Sequence, residues 1–195
     1  MVDGVVDRAK KNNERFNQLS TEKTILEYLN KTLDGEKPES FIEKPMGKDC
    51  KVAVLVPAYN ESISEIIRTI SSLSEQEGAD PSLFEVDFII NNKKIDAEQK
   101  SAAFLANQES INLIKFINGE SQNVPEGLTA EQIKKVEDIK KSKIKINIID
   151  KSSADTADQE NNVGIARNRA GAEIINRFIT SSDKKKRRRD SFDRL

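Results

Sequence analysis

At 195 residues, with 36% apolar and 33% charged side chains, the chain suffices for one sizeable core, or one core plus an appendage. Its 32 basic and 33 acidic residues leave a net charge of -1, which gives no global pull toward nucleic acid or a membrane surface. With no histidine, Ser-His-Asp triads, Cys-His pairs and His-ligated zinc are all excluded.

The one cysteine, Cys50, allows neither an internal disulfide nor a thiolate cluster, so a reducing compartment is expected. Any metal would be held mainly by oxygen ligands, as suits magnesium or manganese. No apolar run has the length of a membrane span, and no signal-peptide core stands at the N-terminus. These features together point to a cytoplasmic protein.

Residues 1–49 are expected to form a helical N-terminal extension and linker. Val5, Val6, Ala9 and Phe16 suggest a weak helix, and Ile25, Leu26, Tyr28, Leu29 and Leu33 a better one, with Thr21 as its cap and Gly35 as its stop. Glu36 to Gly47, with Pro38 and Pro45, reads as the linker.

An α/β domain is expected over 50–179. Val52 to Val56 form a continuous apolar run, the pattern of a strand buried on both faces, which Pro57 should stop because it lacks an N–H. Ser62 and Glu65 make an S-x-x-E capping box, followed by Ile63, Ile66, Ile67, Ile70 and Leu73 at helical spacing. Phe84, Val86, Phe88 and Ile90 alternate as a second strand ending at Asn91-Asn92.

A helix is predicted over 96–117, with Phe104, Leu105, Ile111, Ile114 and Ile117 inward and Gly119 as its stop. Thr129 and Gln132 cap a short helix carrying Ile133, Val136 and Ile139. The segment 93–143 is long for one crossover and reads as an insertion. Ile144, Ile146 and Ile148 form a third strand ending at Asp150. After a polar loop comes a helix over 163–179, with Val163, Ala166, Ala170, Ile174 and Phe178 on one face.

The alternation of strands and helices implies a parallel sheet. Residues 180–195 lack an apolar period and hold six consecutive basic residues at 184–189, so they read as a basic solvated tail or an exposed connection, with no nucleic-acid partner expected.

Ligands of open α/β sheets bind beyond the carboxyl ends of the strands. Two stretches at such positions carry the functional reading. The first is Val54-Leu55-Val56-Pro57-Ala58-Tyr59-Asn60-Glu61 and the second is Asn162-Val163-Gly164-Ile165-Ala166-Arg167-Asn168. They resemble the V-x-x-P-x-Y-N-E and N-x-G-x-A-R-N segments of family 2 glycosyltransferases. The resemblance covers about residues 51–178. It implies a Rossmann-like GT-A fold, represented by its nucleotide-binding half, and a nucleotide-sugar donor, a UDP-sugar, as ligand.

The nucleotide-binding residues it suggests are Pro57, Tyr59, Glu61, Asn92, Gly164 and Arg167. Tyr59 would pack on the base or ribose, and Glu61 would cap the helix or touch the nucleotide. Asn92 stands where family members often place an acid. Gly164 would let the backbone approach the ligand, and Arg167 would hold a base or phosphate through its planar donor fork.

The complete family enzyme is expected to use magnesium or manganese on an Asp-x-Asp motif. None is assignable within this chain, where Asp183 runs into the basic stretch. Neither a catalytic base nor an acceptor half is present, and the acceptor stays unassigned. The alternative reading is a noncatalytic nucleotide- or partner-binding module of the same fold.

Overall fold

The computed structural model describes Glu27 and residues 41–78, 80–160 and 162–192, with side chains up to 178. The two helices expected before residue 40 lie outside the described residues. Three strands, β1 (Val52–Ala58), β2 (Phe84–Asn91) and β3 (Lys145–Lys151), form one sheet in the order β1-β2-β3. Both pairings are parallel, with Val54 opposite Val86 and Val86 opposite Ile146. All three expected strands are therefore present, adjacent and co-directed, and the chain is a mixed α/β fold.

β1 does not stop at Pro57. Pro57 pairs in register with Ile89, and Ala58 with Ile90. β1 lies at the edge of the sheet, where a missing N–H costs least and proline is tolerated.

Around the sheet stand α1 (Ile63–Ser74), the short α2 (Lys94–Glu98), α3 (Ala102–Ile117), α4 (Ala130–Ser142) and α5 (Val163–Phe192). Both capping boxes form as their sequences require. The Ser62 hydroxyl oxygen accepts from Glu65 N–H and the Glu65 carboxylate from Ser62 N–H. Thr129 and Gln132 do the same at α4, and the Gln132 side-chain amide also donates to Ser64 Oγ at 2.7 Å, tying α4 to the first turn of α1.

The helix expected over 96–117 is two helices. Lys100 takes φ 49, in the left-handed region, and Ser101 restarts the chain as N-cap, its hydroxyl oxygen accepting from Phe104 N–H. This restart sets the phase of α3. Leu105 is 51% exposed, whereas Asn107 is buried beside Ile111, Ile114 and Ile117.

One face of the sheet is apolar. Val86, Phe88, Ile90 and Ile146 pack against Ile66, Ile67 and Ile70 of α1, Ile111, Leu113, Ile114 and Ile117 of α3, and Val136 and Ile139 of α4. The segment read as an insertion thus builds much of this layer.

The second face is covered by α5 and by residues 41–46, a stretch within the expected linker. Ile42, Ala166 and Ala170 pack on Ile89 and Ile149, and Met46 is also buried. Nearer the amino ends of the strands this layer is charged. Glu85, Asp87, Glu173 and Arg177 are all buried. Arg177 Nη1 donates to Glu85 Oε1 at 2.5 Å, and Nη2 donates to Lys44 O at 3.1 Å.

α5 departs from expectation at both ends of its sequence. Val163 and Phe178, assigned to the inward face, are half exposed. The helix also runs through the basic stretch to Phe192, where a solvated tail was expected. No glycine or proline interrupts Thr180–Phe192, and lysine and arginine favour the helical backbone.

Replacing Arg177 with alanine should leave the Glu85 carboxylate buried without its main counter-charge. A loss of about 3–5 kcal/mol in urea unfolding is expected. A loss below about 1 kcal/mol, the value of an exposed pair, would show that this layer is open to water.

Candidate functional site

Because the strands are parallel, their carboxyl ends share one edge, and the starts of α1 and α5 follow from that edge. Four candidate residues flank it: Tyr59 and Glu61 after β1, and Gly164 and Arg167 in the opening turns of α5. Tyr59 is 49% exposed and Arg167 is also exposed. Arg167 has no ion-pair partner among the described residues. Its guanidinium is thus available to an anion.

Glu61 does not cap α1, since Ser62 and Glu65 fill that role. Partial burial, then the adjacent Glu65 carboxylate, raises the pKa of Glu61 above the ordinary carboxylate value, with Arg68 opposing. Pro57 lies inside β1, one residue short of the strand end. Gly164 has an ordinary backbone, and a Cβ there would meet Asn162 Oδ1 at 3.1 Å. That oxygen accepts from Ile165 N–H at 3.0 Å, so the missing side chain makes room for the N-cap of α5.

Asn92 is almost fully buried and its carboxamide is committed to the protein. Its Nδ2 donates to Lys93 O at 2.9 Å and to Ser152 O at 3.3 Å, while Oδ1 accepts from Asn107 Nδ2 at 3.0 Å and from Ser152 Oγ. The expected base contact from this side chain therefore lacks a free donor or acceptor edge. Its function here is to join the loops after β2 and β3.

Asn107, which the sequence reading passed over, is the organising residue of the edge. Its Oδ1 accepts from Asn60 N–H at 2.9 Å, and its Nδ2 donates to Asn91 O and to Asn92 Oδ1, both at 3.0 Å. One side chain on α3 thereby holds the ends of β1 and β2. Asn60 needs this support, because its φ of 58 lies in the left-handed region, which asparagine tolerates better than most residues.

The loop after β3 is ordered by Asp150, whose Oδ1 accepts from Ser152 N–H and Ser153 N–H, both at 2.9 Å. An aspartate followed closely by serines at a strand end is a recognisable turn signal. Farther on, Asp158 pairs with Arg169 and with Lys151, and its carbonyl accepts from Lys94 N–H at 2.7 Å. Lys151 and Arg169 thus share the Asp158 carboxylate, whereas Arg167 has no ion-pair partner among the described residues.

A cleft of about 460 Å³ adjoins this edge on the α1–α3 side, lined by Asn60, Ser62, Ser64, Glu109, Glu126 and Gln132 among others. None of Pro57, Tyr59, Glu61, Asn92, Gly164 and Arg167 lines it. Its two carboxylates, Glu109 and Glu126, suit hydrogen-bond donors and repel anions. Among the described residues no group of three or more Cys, Asp or Glu side chains could hold a metal ion. No helix among the described residues is long and apolar enough to cross a membrane.

Replacing Asn107 with alanine should take a hydrogen-bond partner from the part-buried Asn60 N–H and from the buried Asn91 O. An unsatisfied buried group costs about 1–3 kcal/mol, so thermal or urea unfolding should report a loss in that range. The same change at the exposed Asn112 should stay within about 0.5 kcal/mol. Equal effects at both positions would remove Asn107 from its organising role.

No protein-family model, curated protein sequence or solved structure matches this chain.

Proposed function

We propose that this chain is the donor-binding half of a glycosyltransferase of the GT-A type, holding the nucleoside diphosphate of a UDP-sugar at the carboxyl edge of the sheet. The observation that supports this most is a conjunction. The V-x-x-P-x-Y-N-E stretch closes β1 and the N-x-G-x-A-R-N stretch opens α5, the helix that follows β3, so both stand toward the carboxyl edge of co-directed strands although far apart in sequence.

In this reading the exposed Tyr59 ring stacks on the base. Glu61 accepts from ribose hydroxyls, and Arg167 takes the diphosphate through its donor fork at the amino end of α5. Asn107, Asn92 and Asp150 act one layer back, fixing the loops that carry these groups.

Departure of a nucleoside diphosphate develops negative charge that fixed donors or a cation must neutralise. Arg167 is one such donor, but it is a single charge, and no base for an acceptor hydroxyl is assigned. Binding without turnover is accordingly the activity proposed for residues 1–195. A noncatalytic nucleotide-binding module is the second reading. It is favoured for the isolated polypeptide by the lack of a metal-holding acid cluster among the described residues.

Calorimetric titration with UDP should show weak binding that changes little with magnesium or manganese. Arg167→Ala should weaken it by about 1.5–3 kcal/mol, the value of a charge-assisted hydrogen bond. Unchanged affinity in that variant would remove Arg167 from the site.

Incubation with UDP-sugars, with or without divalent metal, should release no UDP above background. Metal-dependent release would place carboxylates outside the described side chains in the reaction, Asp183 first among them.

A further inference from the structure

Glu85 and Asp87 stand two residues apart on β2, so both carboxylates enter the layer between the sheet and α5, where each is fully buried. Every element around them contributes. From α5, Arg177 Nη1 lies 2.5 Å from Glu85 Oε1 and 3.4 Å from Asp87 Oδ1. From β3, Lys145 Nζ lies 3.3 Å from Glu85 Oε2, and Asn147 Nδ2 donates to Asp87 Oδ1 at 2.6 Å.

β1 offers only the apolar Ala53 and Leu55 opposite the two acids. The segment before β1 brings the Cys50 thiol, which both acids influence, and backbone groups of residues 42–45. One turn before Arg177, Glu173 Oε1 accepts from Ile42 N–H at 3.1 Å, while Arg177 and Lys145 donate to Lys44 O and Pro45 O.

Three carboxylates thus face two cations in this layer among the described residues. One proton would balance them. Two carboxylate oxygens in the layer, Asp87 Oδ2 and Glu173 Oε2, are buried with no hydrogen-bond partner, and of the two acids on β2 Asp87 is the one farther from the guanidinium.

We infer that residues 41–46 and α5 form a proton-operated clasp on the sheet, gripping more tightly when Asp87 is neutral than when it is ionised. Burial first, then the Glu85 charge, pushes the Asp87 carboxyl up to about 6 against Asn147, Arg177 and Lys145, and burial raises Glu173 as well. A carboxyl raised on folding contributes stability that is complete below its unfolded value of 3.8 and is lost as pH rises through about 6. Mild acid therefore tightens the clasp, the reverse of the effect of a salt-bridged surface carboxylate. The Ile42 amide, bonded to Glu173, reports it directly.

Native-state hydrogen exchange of Ile42 in the full chain, corrected for intrinsic rates, provides the test. Between about pH 7.5 and pH 5 its protection should rise about tenfold, as the linkage relation gives for a carboxyl moved from 3.8 to about 6. In Asp87→Asn, which cannot ionise, the Asp87 part of this rise should disappear. Protection that is equal at both pH values, or a variant that keeps the full wild-type response, would overturn the proposal. Should the variant not fold, a carbon-13 titration of the wild-type Asp87 carboxyl decides: a midpoint near 6 supports the clasp, and one near 4 refutes it.

Discussion

Placing Glu85 and Asp87 on the central strand, in a layer closed to water, carries a desolvation cost that a cation on the covering element must offset. Arg177 supplies that cation from α5, and the same guanidinium reaches the backbone of Lys44. The sheet, the long helix and the stretch before β1 are thereby locked in one register. Removing either side of such a buried cluster leaves an uncompensated charge, so docking of α5 is favoured where Arg177 meets Glu85 and Asp87. That docking sets where the amino end of α5, with Gly164 and Arg167, stands along the carboxyl edge.

The two ends of the sheet divide the work. Polar side chains at the amino end hold the layers together, while those at the carboxyl end hold the loops. Asn107, Asn92 and Asp150 spend their hydrogen-bonding capacity on backbone and neighbouring side chains, leaving Tyr59, Glu61 and Arg167 as the groups turned to solvent. Rigid inner groups behind exposed outer ones is the arrangement that preorganises a binding site.

Much of the fold was legible because its signals are local. The β-branched runs of β1, β2 and β3 and the two capping boxes need only neighbours in sequence to be recognised, and all are present, although β1 runs past Pro57 and is half-buried rather than covered on both faces, as an edge strand is. What stayed hidden depends on partners far away. Glu85 and Asp87 look like the solvent side of an alternating strand until α5 covers them. Glu173 and Arg177 look like an ordinary surface pair at i, i+4 until they are buried. Asn107 was missed because it is a polar side chain on the apolar stripe of α3, four and seven residues before Ile111 and Ile114, and only its partners after β1 and β2 account for its burial. In the candidate site, the sequence pattern could not tell that the Asn92 side chain is consumed within the protein, because its partners Asn107 and Ser152 lie far from it in sequence.

Amide chemical-shift mapping during addition of UDP tests most directly whether the carboxyl edge is the binding surface. The account predicts that shifts concentrate at Tyr59, Asn60, Glu61 and Gly164 to Arg167, with little change at the lysine-lined cleft formed by Lys44, Lys140, Lys143 and Lys145. Shifts confined to that opposite cleft, or none at millimolar UDP, would contradict it.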